Sequence, residues 1–189
     1  MNPLKNVQPI RTQNELDDMK WALKRHCMPR DYVLFLLGCE TGLRVGDMLK
    51  IKTEAIVKLK KKREKVLRIK EGKNQKIRDV YIGSCFEEIY KYAAALKSEW
   101  LFPSRKGERP ITPTQAYRQL NKAADFAGVE HVGNHTLRKT FGYWFYKATK
   151  DVVMLQGILN HSNPSVTLRY IGITQEETKE VLKRFSVFH

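Results

Sequence analysis

Apolar positions recur at helical spacing along most of this chain and at strand spacing in one short stretch. Thr12-Gln13-Asn14-Glu15 is a capping box, whose hydroxyl and carboxylate satisfy the free N–H groups of a helix start. It predicts a helix running to about Cys27. Arg30–Glu40 reads as a buried helix ending near Thr41-Gly42, where glycine supplies the left-handed turn that closes it. A short helix over about Val45–Ile51 follows. The period then drops to two: Val66-Leu67-Arg68-Ile69 and Arg78-Asp79-Val80-Tyr81-Ile82 predict strands, with Glu71-Gly72-Lys73-Asn74 as the turn of a hairpin. Ser84-Cys85-Phe86-Glu87 and Thr112-Pro113-Thr114-Gln115 are two more capping boxes, and Gly128 stops the second helix. Trp100–Pro110 predicts a connecting loop. In His135–Thr149, Leu137, Phe141, Trp144, Phe145 and Ala148 recur at helical spacing, which predicts core packing for the aromatic rings. Asp151–Leu159 is a further helix, and Asn163-Pro164 caps another that carries Arg169 and Tyr170. Thr174–Phe185 makes a last helix, with Val181, Leu182 and Phe185 on its apolar side. The predicted class is mainly α with a small antiparallel β-sheet (α+β).

Composition narrows this picture. The 189 residues suit a single domain with a real core, and 42% hydrophobic against 29% charged residues describes a globular chain. The longest apolar run, Tyr32–Cys39, is far too short to span a bilayer. Met1-Asn2-Pro3-Leu4-Lys5 lacks the apolar region of a signal peptide. Cys27, Cys39 and Cys85 are odd in number and widely spaced, against both a disulfide framework and a zinc knuckle. Together these predict a cytoplasmic protein without a membrane partner.

Charge changes the picture more. The formal net charge is +15, and Lys50–Arg78 holds 13 Lys and Arg against three Glu. Such a concentration suits a polyanion, because each Lys or Arg that neutralises a phosphate releases a condensed counterion. Lys60-Lys61-Lys62-Arg63 alone fits that reading and a solvated, lysine-rich hairpin equally well. No amphipathic apolar face accompanies the charge, which disfavours a membrane surface.

No single residue demands a chemistry, but a set does. Two arginines (Arg44, Arg138), two histidines (His135, His161), a hairpin lysine and Tyr170 suit attack on a phosphodiester. Arginine's planar fork matches two phosphate oxygens and stays charged. A pentacovalent transition state concentrates negative charge there, where preorganised donors help most. Tyrosine is a covalent nucleophile once a base takes its proton; histidine titrates in the range for that base, and lysine can protonate a departing alkoxide.

The same residues lie in three boxes and a hairpin. The first box is Leu36-Leu37-Gly38-Cys39-Glu40-Thr41-Gly42-Leu43-Arg44-Val45-Gly46-Asp47-Met48-Leu49, and the second is His135-Thr136-Leu137-Arg138-Lys139-Thr140-Phe141. The third is Leu159-Asn160-His161-Ser162-Asn163-Pro164-Ser165-Val166-Thr167-Leu168-Arg169-Tyr170, and the hairpin Gly72–Ile82 falls between the first two. In these boxes and their order, from about Thr12 to the C-terminus, the chain resembles the catalytic domain of the tyrosine recombinases, or phage integrases. The resemblance implies the DNA breaking-rejoining fold and the following roles. Arg44 and Arg138 would clamp the non-bridging oxygens of the scissile phosphate, with Asp47 supporting the arginine cluster. His135 would act in proton transfer as the base towards Tyr170, and His161 would hydrogen-bond the phosphate. Lys73 would protonate the leaving 5′-hydroxyl; Lys70 and Lys76 share its hairpin, and the Lys-x-x-Lys-x-Arg pattern favours Lys73. Tyr170 would form a 3′-phosphotyrosyl link. Lys70, Lys76, Arg78 and Lys139 would contact the DNA. Bond energy kept in that link means that the implied mechanism requires neither ATP nor a metal, and the sequence carries no P-loop and no ligand cluster.

The implied partner is double-stranded DNA, with four copies acting on two sites and a monomer free in solution. The implied products are those of a site-specific recombinase; a DNA-binding module without catalysis and a type IB topoisomerase-like activity are the alternatives. Residues 1–11 are read as an N-terminal extension, 12–173 as the catalytic domain and 174–189 as a C-terminal helix or tail. The separate core-binding domain usual in the family is expected to be missing. Glu176–Phe188 would dock on a neighbouring copy or on its own domain. Two positions depart from the family pattern: Asn160 stands where glycine is usual, and Lys139 where histidine is common.

Overall fold

The computed structural model describes residues 7–72, 75–106, 108–133, 135–173, 183 and 185. Among them the chain forms α1 (Gln13–His26), α2 (Pro29–Thr41), α3 (Val45–Met48), α4 (Thr53–Lys62), β1 (Val66–Lys70), β2 (Ile77–Tyr81), α5 (Phe86–Ala95), α6 (Pro113–Ala127), α7 (Thr136–Thr149), α8 (Val152–Leu159) and α9 (Pro164–Ile171). The mostly helical class with one two-stranded antiparallel sheet is what the periodicity predicts.

Several boundaries follow from local chemistry. Thr12 and Thr112 each accept the N3 backbone N–H while Glu15 and Gln115 reach back, so both capping boxes form. Asp151 and Asn163 cap α8 and α9 through their side-chain oxygens. Gly42 ends α2 at φ +61, and a Cβ there would collide with the Phe141 ring, so both conformation and space demand glycine. Ser84 does not cap α5, which starts one residue later with Cys85 at its N-cap and no side-chain bond. The Ser84 backbone N–H instead donates to Glu40 Oε1 at 3.3 Å.

The basic stretch is divided differently from the expectation. Thr53–Lys62 is a helix, α4, with Ile56 and Leu59 buried, and Lys60–Lys62 form its last turn. Lysines there meet the helix's partial negative end favourably, and Arg63 closes it at φ 58. Lys60-Lys61-Lys62-Arg63 therefore belongs to a helix end, and the hairpin is confined to β1 and β2, paired from Val66↔Tyr81 to Lys70↔Ile77.

Helix α2 is the axis of the main core, buried nearly all round and packed against α1, α5, α6 and α7. A second, smaller cluster joins Leu155, Leu159 and Ile171 to the rings of Phe141 and Phe145, fastening α8 and α9 onto α7. Phe141, Tyr143, Phe145 and Tyr146 of α7 thus pack here only partly buried, Ala148 is exposed, and the half-buried Trp144 donates its Nε1 N–H to the Ile10 carbonyl at 3.0 Å. The helix expected over Thr174–Phe185 lies outside the described residues, apart from Lys183 and Phe185. No described helix is long and apolar enough to cross a membrane.

Candidate active site

Arg44 is the N-cap of α3, thrown out of the α2 axis by the left-handed Gly42 turn two residues earlier. Its Nη1 donates to Glu71 Oε2 at 3.1 Å and lies 3.9 Å from Asp47 Oδ2. Asp47 is buried, and its Oδ1 accepts the Gly72 N–H at 2.8 Å. The first box is thereby tied to the root of the hairpin.

Arg138 enters from the first turn of α7 and is 3% exposed. Its Nη1 donates to the Gly42 carbonyl at 2.5 Å and its Nη2 to the Leu159 carbonyl at 2.7 Å. One guanidinium thus bridges the turn before Arg44 and the turn before His161. Burial, then the neighbouring Arg44 charge, pulls its pKa down to about 10, which leaves it cationic at neutral pH.

His135, the N-cap of α7, places Nδ1 3.2 Å from Tyr170 Oη. His161 follows the Asn160 turn, with Nδ1 3.1 Å from Thr167 Oγ1 and its ring edge-on to Tyr170 at 4.8 Å between centroids. Both histidines are pushed below their ordinary pKa, first by burial, then by the Arg138 and Arg44 charges, with Lys139 adding to the effect on His135. Tyr170 is half-buried, and burial raises its pKa while Arg138 and Arg44 pull the other way. Arg44, His135, Arg138, His161 and Tyr170 converge on one face, from positions 126 residues apart at the extremes.

The remaining expected residues divide. Lys73 lies outside the described residues. Lys70 is exposed at the turn end of β1, and Lys76 Nζ reaches Asn160 Oδ1 at 3.3 Å. Arg78 turns inward, donating to the Thr41 carbonyl at 2.9 Å and facing Glu71 Oε1 at 3.6 Å; burial lowers its pKa. Lys139 donates to the Val7 carbonyl at 2.6 Å, with its ammonium 5.3 Å from the centre of the Tyr170 ring. Asn160 has φ 51 and ψ 51, the left-handed region that asparagine tolerates better than other non-glycine residues, which accounts for its standing where glycine is usual.

Sequence reasoning missed Glu71 as a site residue, placing it only in the turn. Its signal is present: Leu67 and Ile69 alternate inward on β1, and Glu71, one residue past the strand's end, continues that alternation to the buried side.

A model of the phage integrase family matches residues 11–177. The chain belongs to that family. It is 42% identical over 182 residues to the probable integrase/recombinase YoeC of Bacillus subtilis, covering 95% of this chain and 97% of the relative. It is 32% identical over 160 residues to tyrosine recombinase XerC of Staphylococcus saprophyticus, with 80% of this chain and 52% of the relative covered. The chain thus spans about half the length of that XerC. Among solved structures, XerA recombinase superposes with a TM-score of 0.75 at 21% identity, over 94% of this chain and 65% of that one. A λ integrase tetramer bound to a Holliday junction superposes with a TM-score of 0.66 at 20% identity, over 87% of this chain and 48% of that one. The fold is that of tyrosine recombinase catalytic domains.

Proposed function

We propose that this protein is a site-specific DNA recombinase that cleaves and rejoins strands through a 3′-phosphotyrosyl intermediate. The observation that carries the reading is Tyr170 Oη at 3.2 Å from His135 Nδ1, beside Arg44 and Arg138. Neutral His135 accepts the phenol proton, and Tyr170 Oη attacks the phosphorus. Arg44, His161 and the N–H groups of Arg138 not committed to carbonyls hold the non-bridging oxygens as charge builds on them. The P–O5′ bond breaks, and the 5′-oxygen takes a proton from Lys73. Attack by another 5′-hydroxyl reverses these steps and returns the proton to the tyrosine.

Asp47 supports Arg44, while Lys70, Lys76 and the net charge of +15 attract the DNA backbone. Arg78 and Lys139 are directed to protein partners, so their contribution to DNA binding is indirect. The tetrameric λ integrase supports an assembly of four copies on two DNA sites. The fold and the relatives' bacterial sources support action on DNA in the cytoplasm.

A pool of random-sequence duplexes with one 5′-bridging phosphorothiolate tests this, since the departing thiol cannot reseal the strand. The wild-type protein should capture a subset covalently, and sequencing that subset identifies the site. Tyr170→Phe should bind the same duplexes without the adduct. Binding with no adduct from any duplex would sink the enzyme reading, and relaxation of supercoiled DNA without a second site would favour a topoisomerase-like activity.

A further inference from the structure

Glu71 is 3% exposed, in a hairpin that is otherwise strongly basic. Burying a carboxylate is costly unless opposite charges face it closely. Among the described residues two do: Arg44 Nη1 at 3.1 Å from Oε2 and Arg78 Nη1 at 3.6 Å from Oε1. Asp47 completes the group from α3, through its Gly72 N–H bond and its approach to Arg44. Only a quarter of the Arg44 side chain is exposed, so its orientation is set from beneath by this carboxylate.

We propose that Glu71 is the positioning residue for Arg44, fixing its guanidinium so that the N–H groups left exposed face the scissile phosphate. This rests on the strand-transfer reading above. The physical case has two parts. Arg44, Arg78 and Arg138 bring like charges together at the site, and Glu71 is the buried countercharge between two of them. A guanidinium also has rotational freedom about its side chain, and a bond to a buried carboxylate removes it before substrate arrives. Preorganisation of this kind acts on the transition state more than on ground-state binding.

Removing the charge while keeping the shape separates these effects. In Glu71→Gln the DNA-facing surface gains positive charge, so duplex affinity stays equal or tightens. Arg44 loses its anchor, so adduct formation at saturating duplex falls about tenfold or more. A residue that merely held the fold together would instead lower the active fraction and the melting temperature, without opposite movement of rate and affinity.

The test uses the full 189-residue chain as wild type, Glu71→Gln and Glu71→Asp. Side-chain NMR of the arginine N–H groups, with Arg44 assigned by Arg44→Lys, reads the contact without any activity. Slow guanidinium rotation in the wild type and fast averaging in Glu71→Gln is the expected result; identical Arg44 signals overturn the proposal. Single-turnover adduct formation on the selected phosphorothiolate duplex reads the consequence. Glu71→Asp, which keeps the charge, should recover part of the rate, and also decides the matter if Glu71→Gln does not fold. Adduct formation unchanged or faster in Glu71→Gln overturns the positioning role. A wild type that forms no adduct overturns the recombinase reading instead, and with it any catalytic role for Glu71, while the NMR comparison still decides the Arg44 contact.

Discussion

Replacing Gly142 by alanine inserts a methyl group between α7 and the helix that carries Tyr170. A Cβ at Gly142 would lie 2.7 Å from Ile171 Cγ2 and 3.4 Å from Leu159 Cδ1. Carbon atoms in good contact sit about 3.5–4.0 Å apart, so Ile171 must retreat by roughly 1 Å. Tyr170 is the neighbouring residue on α9, and its Oη is only 3.2 Å from His135 Nδ1. A displacement of that size is enough to take that pair beyond hydrogen-bonding reach. Overpacking costs about 1–3 kcal/mol, whereas alanine gains about 1 kcal/mol over glycine inside a helix. Net destabilisation is therefore about 0–2 kcal/mol, small enough for the protein to stay folded. A misplacement of about 1 Å, by contrast, can cost a reaction about 100-fold. Urea unfolding and single-turnover adduct formation, measured on the same preparation, separate the two quantities. A Gly142→Ala protein that reacts within about twofold of wild type would refute the idea that the α7–α9 contact sets the nucleophile.

Two other perturbations test neighbouring parts of the site. His135 and His161 have folded pKa values below 6.5, so their contribution to stability is complete above that value and is lost as pH falls through the folded pKa. Urea titrations at neutral pH and in mild acid should show the loss, and adduct formation should rise with pH to a plateau as His135 gives up its proton. Adduct formation that does not rise as His135 loses its proton would remove neutral His135 from the role of base. At the left-handed Asn160, alanine should cost about 1 kcal/mol and glycine close to none, although both lose the Lys76 contact. Equal unfolding free energies for the two variants would show that backbone conformation is not what selects Asn160.

Local signals carried the reading as far as they physically reach. Caps and glycine stops act within one or two turns, so Thr12, Gly42, Thr112, Gly128 and Asn163 marked their helix boundaries correctly. The three boxes and the hairpin, read in order, located five of the residues that the fold brings to one face. Where charge masked period, local reading failed: Ile56 and Leu59 make α4 amphipathic, but the lysines around them suggested only a basic hairpin. Ser84 has the spacing of a capping box, yet its backbone N–H is drawn to Glu40, 44 residues away.

What the sequence by itself determined is the helical class, the hairpin, the family and the chemical identity of the site residues. Only the tertiary structure decided how they meet. The His135–Tyr170 pair spans 35 residues, and the Arg138 bonds to Gly42 and Leu159 span 96 and 21. It also turned Arg78 away from the expected DNA-facing surface and buried Glu71 between Arg44 and Arg78. The physical reason is that propensity and capping are properties of a few adjacent residues. The direction and cost of a charge depend on which distant groups surround it once the core has closed.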